Sequence, residues 1–314
     1  MATPTTLTER LAPAIRLPGP YVPGWFPLVA ERAHHLMGAK GGVRTVDLLG
    51  STMRLDVGEY MQRRFYYHCY EAPEVRFFER WLRPGDAVAD VGAHVGFFTL
   101  LAARLVGPAG EVHAFEPVPV NYERLVENVG LNGLENVRLE RSAVGDQEGE
   151  VSLGLAEERL VGESTCDYTV GGELGGVTAP VTTLDAYLER RSTPRLRLVK
   201  IDVEGFEPKV LAGLAGTFED APPEAIVFEH NATMLLSHDM RPTAVFEDLA
   251  ARGYRMHRLG QRGGLRPAPP LERLEEAVRR STAAGHHKSR LRAGIATRDT
   301  LLNVVAIHET AAAG

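Results

Sequence analysis

Four side chains that can take part in chemistry stand where apolar stretches of the sequence end. Asp90 precedes the turn in "DVGAHVG", Glu116 lies in "HAFEP", Asp202 in "KIDVEGFE" and His230 in "FEHN". Each apolar stretch is typical of a buried strand, and ligands of open α/β sheets bind beyond the carboxyl ends of the strands. The four side chains are therefore candidates for one ligand site.

The glycine turn that follows Asp90 narrows the choice of ligand. Gly92 and Gly96 allow positive φ angles and a close backbone approach, and the helix predicted after them offers unpaired N–H groups to a carboxylate or phosphate. A structural interpretation, in which the glycines only separate strand from helix, is also open. A dinucleotide fingerprint needs G-x-G-x-x-G, which this turn lacks, and Asp90 would repel a pyrophosphate.

The two carboxylates instead suit a ligand that contains an amino acid and a ribose. Asp90 can meet an ammonium, the helix N-terminus can meet a carboxylate, and Glu116 stands where a carboxylate accepts both ribose hydroxyls. S-adenosylmethionine carries all three groups. The sequence therefore favours this methyl donor over a nicotinamide dinucleotide.

The elements that must position these residues alternate along the chain. Strand-like apolar runs are separated by stretches with helical spacing, which predicts a parallel sheet between layers of helices. A final pair, "GYRMHRLG" and "LLNVVAIHE", is expected to close the sheet. We predict an N-terminal extension over residues 1–70, with two short strands in "VRTVDLLGSTMRLDV", that caps the substrate or contacts a second subunit. Residues 71–314 form the main domain, with an insertion near 259–300.

The composition excludes several classes of protein. The 314 residues carry 35 basic and 41 acidic side chains. The net charge of -6 is not the basic charge that favours binding to nucleic acid or to an anionic membrane. The N-terminus lacks the apolar core of a secretory signal, and no 18 apolar residues run together, so we expect a cytoplasmic protein. Cys69 and Cys166 form no CxxC pair, and we expect both to be reduced.

Several ordered motifs resemble one known family. The segments "VADVGAHVGFFTL", "VHAFEPVPVNYERLVENVGLNG", "RSAVGDQEGEVSL", "VTTLDAYL" and "LVKIDVEGFEPKVLAGL" are similar to the FkbM family of S-adenosylmethionine-dependent methyltransferases, over roughly residues 71–231. The resemblance implies a Rossmann-like class I methyltransferase fold, α/β, with a mostly parallel seven-stranded sheet and helices on both faces. It also implies O-methylation of a sugar, a polyketide or another natural-product intermediate.

The resemblance further assigns positions in the donor site. It implies the methionine part over the glycine turn, the ribose at Glu116, the adenine against "SAVGD", and the transferred methyl beside "KIDVEGFE". The predicted donor-binding residues are Asp90, Gly92, Ala93, Gly96, Glu116, Pro117, Ser142, Ala143 and Asp202.

The catalytic prediction rests on the proton of a hydroxyl acceptor, which needs a base, whereas a carboxyl acceptor needs none. His230 has the ordinary pKa best suited to this task, and Asp202 is predicted to orient the donor, the acceptor or a metal. Each also has a structural alternative, as a hydrogen-bonded histidine and as a helix cap. His94 could face the acceptor, but the turn already explains its position.

Two further groups of residues allow more than one interpretation. Asp202, Glu204, Glu229 and His230 could hold magnesium or manganese, but their spacing does not require a metal and we predict none. The basic run over residues 279–292 is either a solvated segment or a lid over an acidic acceptor.

The leading hypothesis is an O-methyltransferase for a small-molecule acceptor, with S-adenosylmethionine as donor and no nucleic-acid or membrane partner. The alternatives are methylation of a carboxylate or a peptide, and a non-catalytic ligand-binding protein on the same fold. The oligomeric state stays open, with a homodimer as one option.

Overall fold

The computed structural model describes most of the chain outside its N-terminal segment and the predicted insertion. The described residues are 42–67, 71–157, 166–170, 177–193, 195–203, 205–237, 240–260, 263–273, 275–276 and 301–313. Glu204 and the basic run at 279–292 lie outside these ranges, as do residues 28–38, where "LVAERAHHLMG" predicts a helix. Within them, no helix has the length and apolar character needed to span a bilayer.

The described strands and helices follow one another in α/β order. The strands are β1 (Val43–Leu48), β2 (Ser51–Asp56), β3 (Ala87–Val91), β4 (Glu111–Phe115), β5 (Val137–Glu140), β6 (Ala143–Val144), β7 (Gly149–Glu157), β8 (Cys166–Val170), β9 (Val177–Thr182), β10 (Leu196–Ile201), β11 (Ala225–Asn231), β12 (Tyr254–Leu259), β13 (Leu265–Pro267) and β14 (Leu301–His308). The helices are α1 (Tyr60–Tyr66), α2 (Ala72–Trp81), α3 (Phe97–Val106), α4 (Pro119–Leu131), α5 (Leu184–Arg191), α6 (Glu207–Ala212), α7 (Ala215–Asp220), α8 (Ala232–Ser237) and α9 (Ala244–Ala251), and a 3-10 helix, Glu309–Ala313, follows β14.

The central sheet has eight strands in the order β13-β12-β14-β11-β10-β3-β4-β5. The five strands from β11 to β5 are parallel neighbours. β14 lies antiparallel between β11 and β12, and β13 pairs antiparallel with β12. The fold class predicted from the resemblance is confirmed. The predicted seven strands are joined by β13, a short edge strand inside the predicted insertion.

Helices cover both faces of this sheet, as continuous apolar strands require. All five residues of β3 are buried, which is typical of a parallel strand covered on two sides. One face of the sheet, called the hairpin face below, packs against α2, α3, α4 and the β1–β2 hairpin. The opposite face, called the far face, packs against α5, α6, α7 and α9.

A second, four-stranded sheet, β6-β9-β7-β8, lies between β5 and β10 in the chain. The stretch "NVRLERSAVG" reads as one strand in the sequence, but the chain bends at Ser142 and the stretch contributes β5 to the central sheet and β6 to the small one. Apolar alternation cannot reveal this break, because both halves are strands.

The β1–β2 hairpin predicted within the N-terminal extension is present and is fixed to helix α4 by two asparagines one helical turn apart. Thr52 donates its N–H to Oδ1 of Asn132 at 2.8 Å, and Asn132 donates back to the Thr52 carbonyl at 2.7 Å. Arg54 donates its N–H to Oδ1 of Asn128 at 2.7 Å, and Nδ2 of Asn128 donates to the carbonyl of Val95 at 2.8 Å. The hairpin is thus tied directly to the glycine turn.

Candidate active site

The glycine turn joins β3 to α3 and is packed against the neighbouring strand ends. Gly92 and Gly96 have φ angles of 85° and 97°, in the region that favours glycine. A Cβ on Gly92 would lie 2.0 Å from the carbonyl oxygen of Asp202. The N–H groups of Gly92 and Ala93 donate to the carbonyl of Phe115 at 3.0 and 2.9 Å. The turn therefore holds the ends of β3, β4 and β10 together, in addition to any contact with a ligand.

Glu116 stands at the end of β4 and faces the same turn. Its two carboxylate oxygens accept the N–H groups of His94 at 2.8 Å and of Val118 at 2.9 Å. The side chain is 4% exposed. Burial raises the pKa of Glu116 to about 7, although the N–H donors act in the opposite direction. Further hydrogen-bond donors, such as the hydroxyls of a ribose, would stabilise the charged form of such a buried carboxyl group.

Asp90 is buried between β3 and the first turns of α3. Its Oδ2 accepts the hydroxyl of Thr99 at 2.6 Å, and Nζ of Lys200 lies 4.0 Å from Oδ1. Among the described residues, Oδ1 has no hydrogen-bond partner. Asp90 therefore fixes the start of α3 to the sheet, and its predicted contact with a donor ammonium stays a prediction.

Lys200 is a candidate functional residue that the sequence analysis missed. It lies opposite Asp90 in the β10–β3 register, and its Nζ donates to Oδ2 of Asp202 at 3.0 Å above the ring of Phe98. Burial alone would lower the pKa of Lys200, but the carboxylates of Asp202, Asp90 and Glu71 raise it. A lysine inside the apolar run "LRLVKI" is the signal for such a site, because a buried lysine needs an anionic partner.

His230 lies on the far face of the sheet. Side chains of β11 alternate, so His230 shares its face with Phe228, and its ring packs on Phe246 of α9 with centroids 4.8 Å apart. It is 1% exposed, and neither ring nitrogen has a partner among the described residues. Burial lowers the pKa of His230 to about 4. The structure does not bring His230 to Asp202, and its role as the base stays a prediction.

His94 lies at the centre of the glycine turn, on the hairpin face. Its φ angle is 51°, in the left-handed region. Its ring centroid is 6.1 Å from that of Phe65 in α1, which in turn stacks on Phe97. Burial lowers the pKa of His94 to about 4, while the nearby charge of Asp202 raises it and that of Lys200 lowers it. The ring therefore shares its surroundings with the Asp202–Lys200 pair.

The remaining predicted donor-binding residues continue along the same edge of the sheet. Pro117 directly follows Glu116 and is partly exposed. After β5, Ser142 is buried and Ala143 begins β6, where it pairs with Val181 of β9. The predicted donor residues thus follow the carboxyl ends of β3, β4, β5 and β10, which are parallel neighbours.

The described part of the chain contains no group of three or more His, Cys, Asp or Glu side chains placed to bind a metal. Of the possible cluster considered above, Glu204 lies outside the described residues, and His230 lies on the opposite face from Asp202.

Comparison with known proteins places these motifs in one family. A model of the "Methyltransferase FkbM domain" matches residues 90–256, more than half of the chain. The 31-O-demethyl-FK506 methyltransferase FkbM of Streptomyces tacrolimicus is 33% identical over a match that covers 42% of this chain and 61% of that protein. Methyltransferase sdnD of Sordaria araneosa is 28% identical, over 48% of this chain and 66% of that protein.

A third relative comes from an archaeon. Hexuronic acid methyltransferase AglP of Haloferax volcanii is 28% identical over 43% of this chain and 52% of that protein. The chain spans less than two thirds of the length of each of these relatives. Because the family model covers the glycine turn, Glu116 and the Lys200–Asp202 pair in a single match, the chain belongs to the FkbM methyltransferase domain family.

Proposed function

We propose that this protein is an S-adenosylmethionine-dependent methyltransferase that methylates a hydroxyl group of a small molecule. The observation that carries the proposal is Glu116, a buried carboxyl group with backbone N–H partners at the end of β4, beside a glycine turn. Family membership supports methyl transfer. Two relatives are named for 31-O-demethyl-FK506 and for hexuronic acid, which supports a polyketide, a sugar or another natural-product intermediate as acceptor.

The residues at this edge of the sheet fit such a donor. Glu116 would accept the ribose hydroxyls, and Ser142 and Ala143 would border the adenine. Asp90 offers a buried oxygen, Oδ1, without a hydrogen-bond partner in the described structure, which an ammonium would satisfy. The helix after the turn would meet the donor carboxylate. When bound, the donor supplies a methyl group on a positively charged sulfur.

The protein's own contribution is alignment. Charge disappears from sulfur as the methyl group moves, so catalysis depends mainly on holding the acceptor oxygen in line and excluding water. Lys200 holds one oxygen of Asp202 at 3.0 Å, and the Asp202 side chain remains 22% exposed. We assign Asp202 to orient the donor ammonium or the acceptor hydroxyl. The contact of Gly92 with the Asp202 carbonyl fixes the distance between this group and the donor turn.

Calorimetric titration tests the donor site. Wild-type protein should bind S-adenosylmethionine with micromolar affinity and should not bind a nicotinamide dinucleotide. Glu116→Gln should weaken donor binding by about 5- to 150-fold, the equivalent of roughly 1–3 kcal/mol for a lost charged hydrogen bond. Glu111→Gln, at the other end of the same strand, is the matched control and should bind as the wild type does. Absence of donor binding would overturn the proposal.

The acceptor is tested with methyl-labelled donor and two probes, 31-O-demethyl-FK506 and glucuronic acid. A labelled methyl ether on either probe supports hydroxyl methylation. A methyl ester on glucuronic acid would support the carboxylate alternative instead. Donor binding without transfer to these probes or to small-molecule extracts would favour a ligand-binding protein on the same fold.

A further inference from the structure

We propose that His94, in the glycine turn, borders the methyl group of the bound donor and takes the proton of the acceptor hydroxyl. This inference rests on the proposed function and names the proton acceptor of that same site. The proposal thus gives the role of proton acceptor to His94, on the hairpin face, where the sequence analysis predicted His230.

The backbone of His94 is the first observation. A left-handed φ angle of 51° is uncommon for a residue with a side chain and needs support from its surroundings. The conformation is held by a hydrogen bond, 2.8 Å long, from the backbone N–H of His94 to Oε2 of Glu116. The same carboxylate is the proposed ribose partner. Donor binding at Glu116 and the backbone conformation of His94 are therefore linked through one hydrogen bond.

The position of the ring is the second observation. His94 is partly exposed, whereas His230 is 1% exposed beneath Phe246. No hydrogen bond joins the His94 ring to another described residue, so a ring nitrogen is available to a ligand. The ring lies near Phe65 of α1, and the glycine turn that carries it packs against the backbone of Asp202 at the end of β10. An acceptor that enters beside the hairpin would meet this histidine.

The charge of Asp202 is what favours a proton on the ring. Burial lowers the pKa of His94 to about 4, so the ring is neutral at pH 7 and has a free lone pair, but it is a weaker base than an ordinary histidine and depends on Asp202 to hold the proton. As the O–CH₃ bond forms, the electron pair of the S–CH₃ bond returns to sulfur, and the hydroxyl proton passes to a ring nitrogen of His94. One positive charge is thus present before and after the step, on sulfur and then on the imidazolium. Asp202 stabilises that charge in both states, against the repulsion of Lys200.

Nuclear magnetic resonance tests the inference without knowledge of the acceptor. The full chain is labelled with ¹³C at the histidine ε1 carbons and titrated with S-adenosylmethionine that carries a ¹³C-methyl group. His94→Asn assigns the His94 signal, because asparagine tolerates the left-handed region, with His94→Gly as a second variant. His230→Asn assigns the control signal. We expect a nuclear Overhauser effect between the donor methyl and the His94 ring, and none to His230.

A pH titration of the donor complex and of the product complex tests whether the protonation of His94 responds to the charge on sulfur. Loss of the positive charge on sulfur should raise the pKa of His94 by about 1 or more in the S-adenosylhomocysteine complex relative to the S-adenosylmethionine complex. The pKa of His230 should be the same in both complexes. A methyl contact with His230 alone, or equal His94 titration in the two complexes, would overturn the inference. A His94 signal that does not respond to a donor whose binding calorimetry detects would also overturn the inference. Absence of donor binding by calorimetry would instead overturn the proposed function, which separates the two outcomes.

Discussion

The two faces of the central sheet end in different chemistry at its carboxyl edge. On the hairpin face, Lys200 lies between Asp90 and Asp202, and His94 is close to this group. On the far face, His230 packs against Phe246, and burial lowers the pKa of His230 to about 4. Buried charges are retained only when they are paired, whereas a buried neutral ring needs no counter-ion. The hairpin face therefore holds the groups that can respond to a charged ligand.

The largest effect is expected where the glycine turn meets the end of β10. Gly92→Ala places a Cβ 2.0 Å from the Asp202 carbonyl oxygen at a φ angle of 85°, and backbone cannot yield as a flexible side chain does. We expect a loss of more than about 4 kcal/mol in the free energy of unfolding, measured by urea denaturation. Gly133→Ala is the matched control, because its φ angle is 58° with nothing within 4 Å of an added Cβ. It should cost about 1 kcal/mol. Equal losses would show that the contact at Gly92 is not tight.

A direct test of the comparison removes one group from each face. Lys200→Met leaves the buried carboxylate of Asp90 and the partly exposed carboxylate of Asp202 without their cation, and we expect a loss of about 3–5 kcal/mol in unfolding free energy. His230→Leu replaces a ring without hydrogen-bond partners in the described structure by an apolar side chain, and we expect a change within about 1 kcal/mol of zero. Thermal and urea unfolding of both variants measure the difference. If His230→Leu is the more damaging variant, the two faces do not differ as described.

A smaller effect on the free energy of unfolding is expected from the titration of Glu116. Its pKa is raised from 4.5 to about 7 in the folded protein, so the folded protein holds this proton more tightly than the unfolded chain. The resulting stability is present below pH 4.5 and is lost as the pH rises through 7. Wild-type protein should lose up to about 3 kcal/mol over this window that Glu116→Gln does not lose. Urea titrations of both proteins across the window measure it.

His230, on the far face, provides a control in which stability depends on pH in the opposite direction. The pKa of His230 is lowered from 6.5 to about 4, so the unfolded chain binds this proton first as the pH falls. Stability from His230 should therefore be lost as the pH drops from 6.5 to 4, and His230→Leu should remove that loss. Parallel pH dependence in the Glu116→Gln and His230→Leu differences would contradict both assignments.

Much of the fold follows from local pattern. The apolar runs that became β3, β4, β10 and β11 end within two residues of the predicted polar positions, because a strand covered on both faces must be apolar throughout. The glycine turn was also predictable, although the sequence does not show that the backbone of Asp202 leaves no room for a side chain at Gly92. The β5–β6 break was not predictable, because a bend between two strands leaves the apolar alternation unchanged.

The candidate site was only partly predictable for a related reason. The sequence analysis picked His230 by its ordinary pKa, but that value says nothing about the face on which the ring lies. It passed over Lys200, whose neighbour Asp90 is more than a hundred residues away in the chain and becomes adjacent only through the β10–β3 register. His94 was assigned to the turn because its proximity to Asp202 and Lys200 depends on the same pairing.

The sequence by itself determined the family motifs, the alternation of strands and helices around the central sheet, and the carboxylates that end β3, β4 and β10. These depend on residue type and local spacing, which a single chain displays directly. Only the tertiary structure decided which side chains share a face and which charges compensate each other. The physical reason is that alternation along a strand gives two equivalent faces, and they become different only when the parallel register and the covering helices are in place.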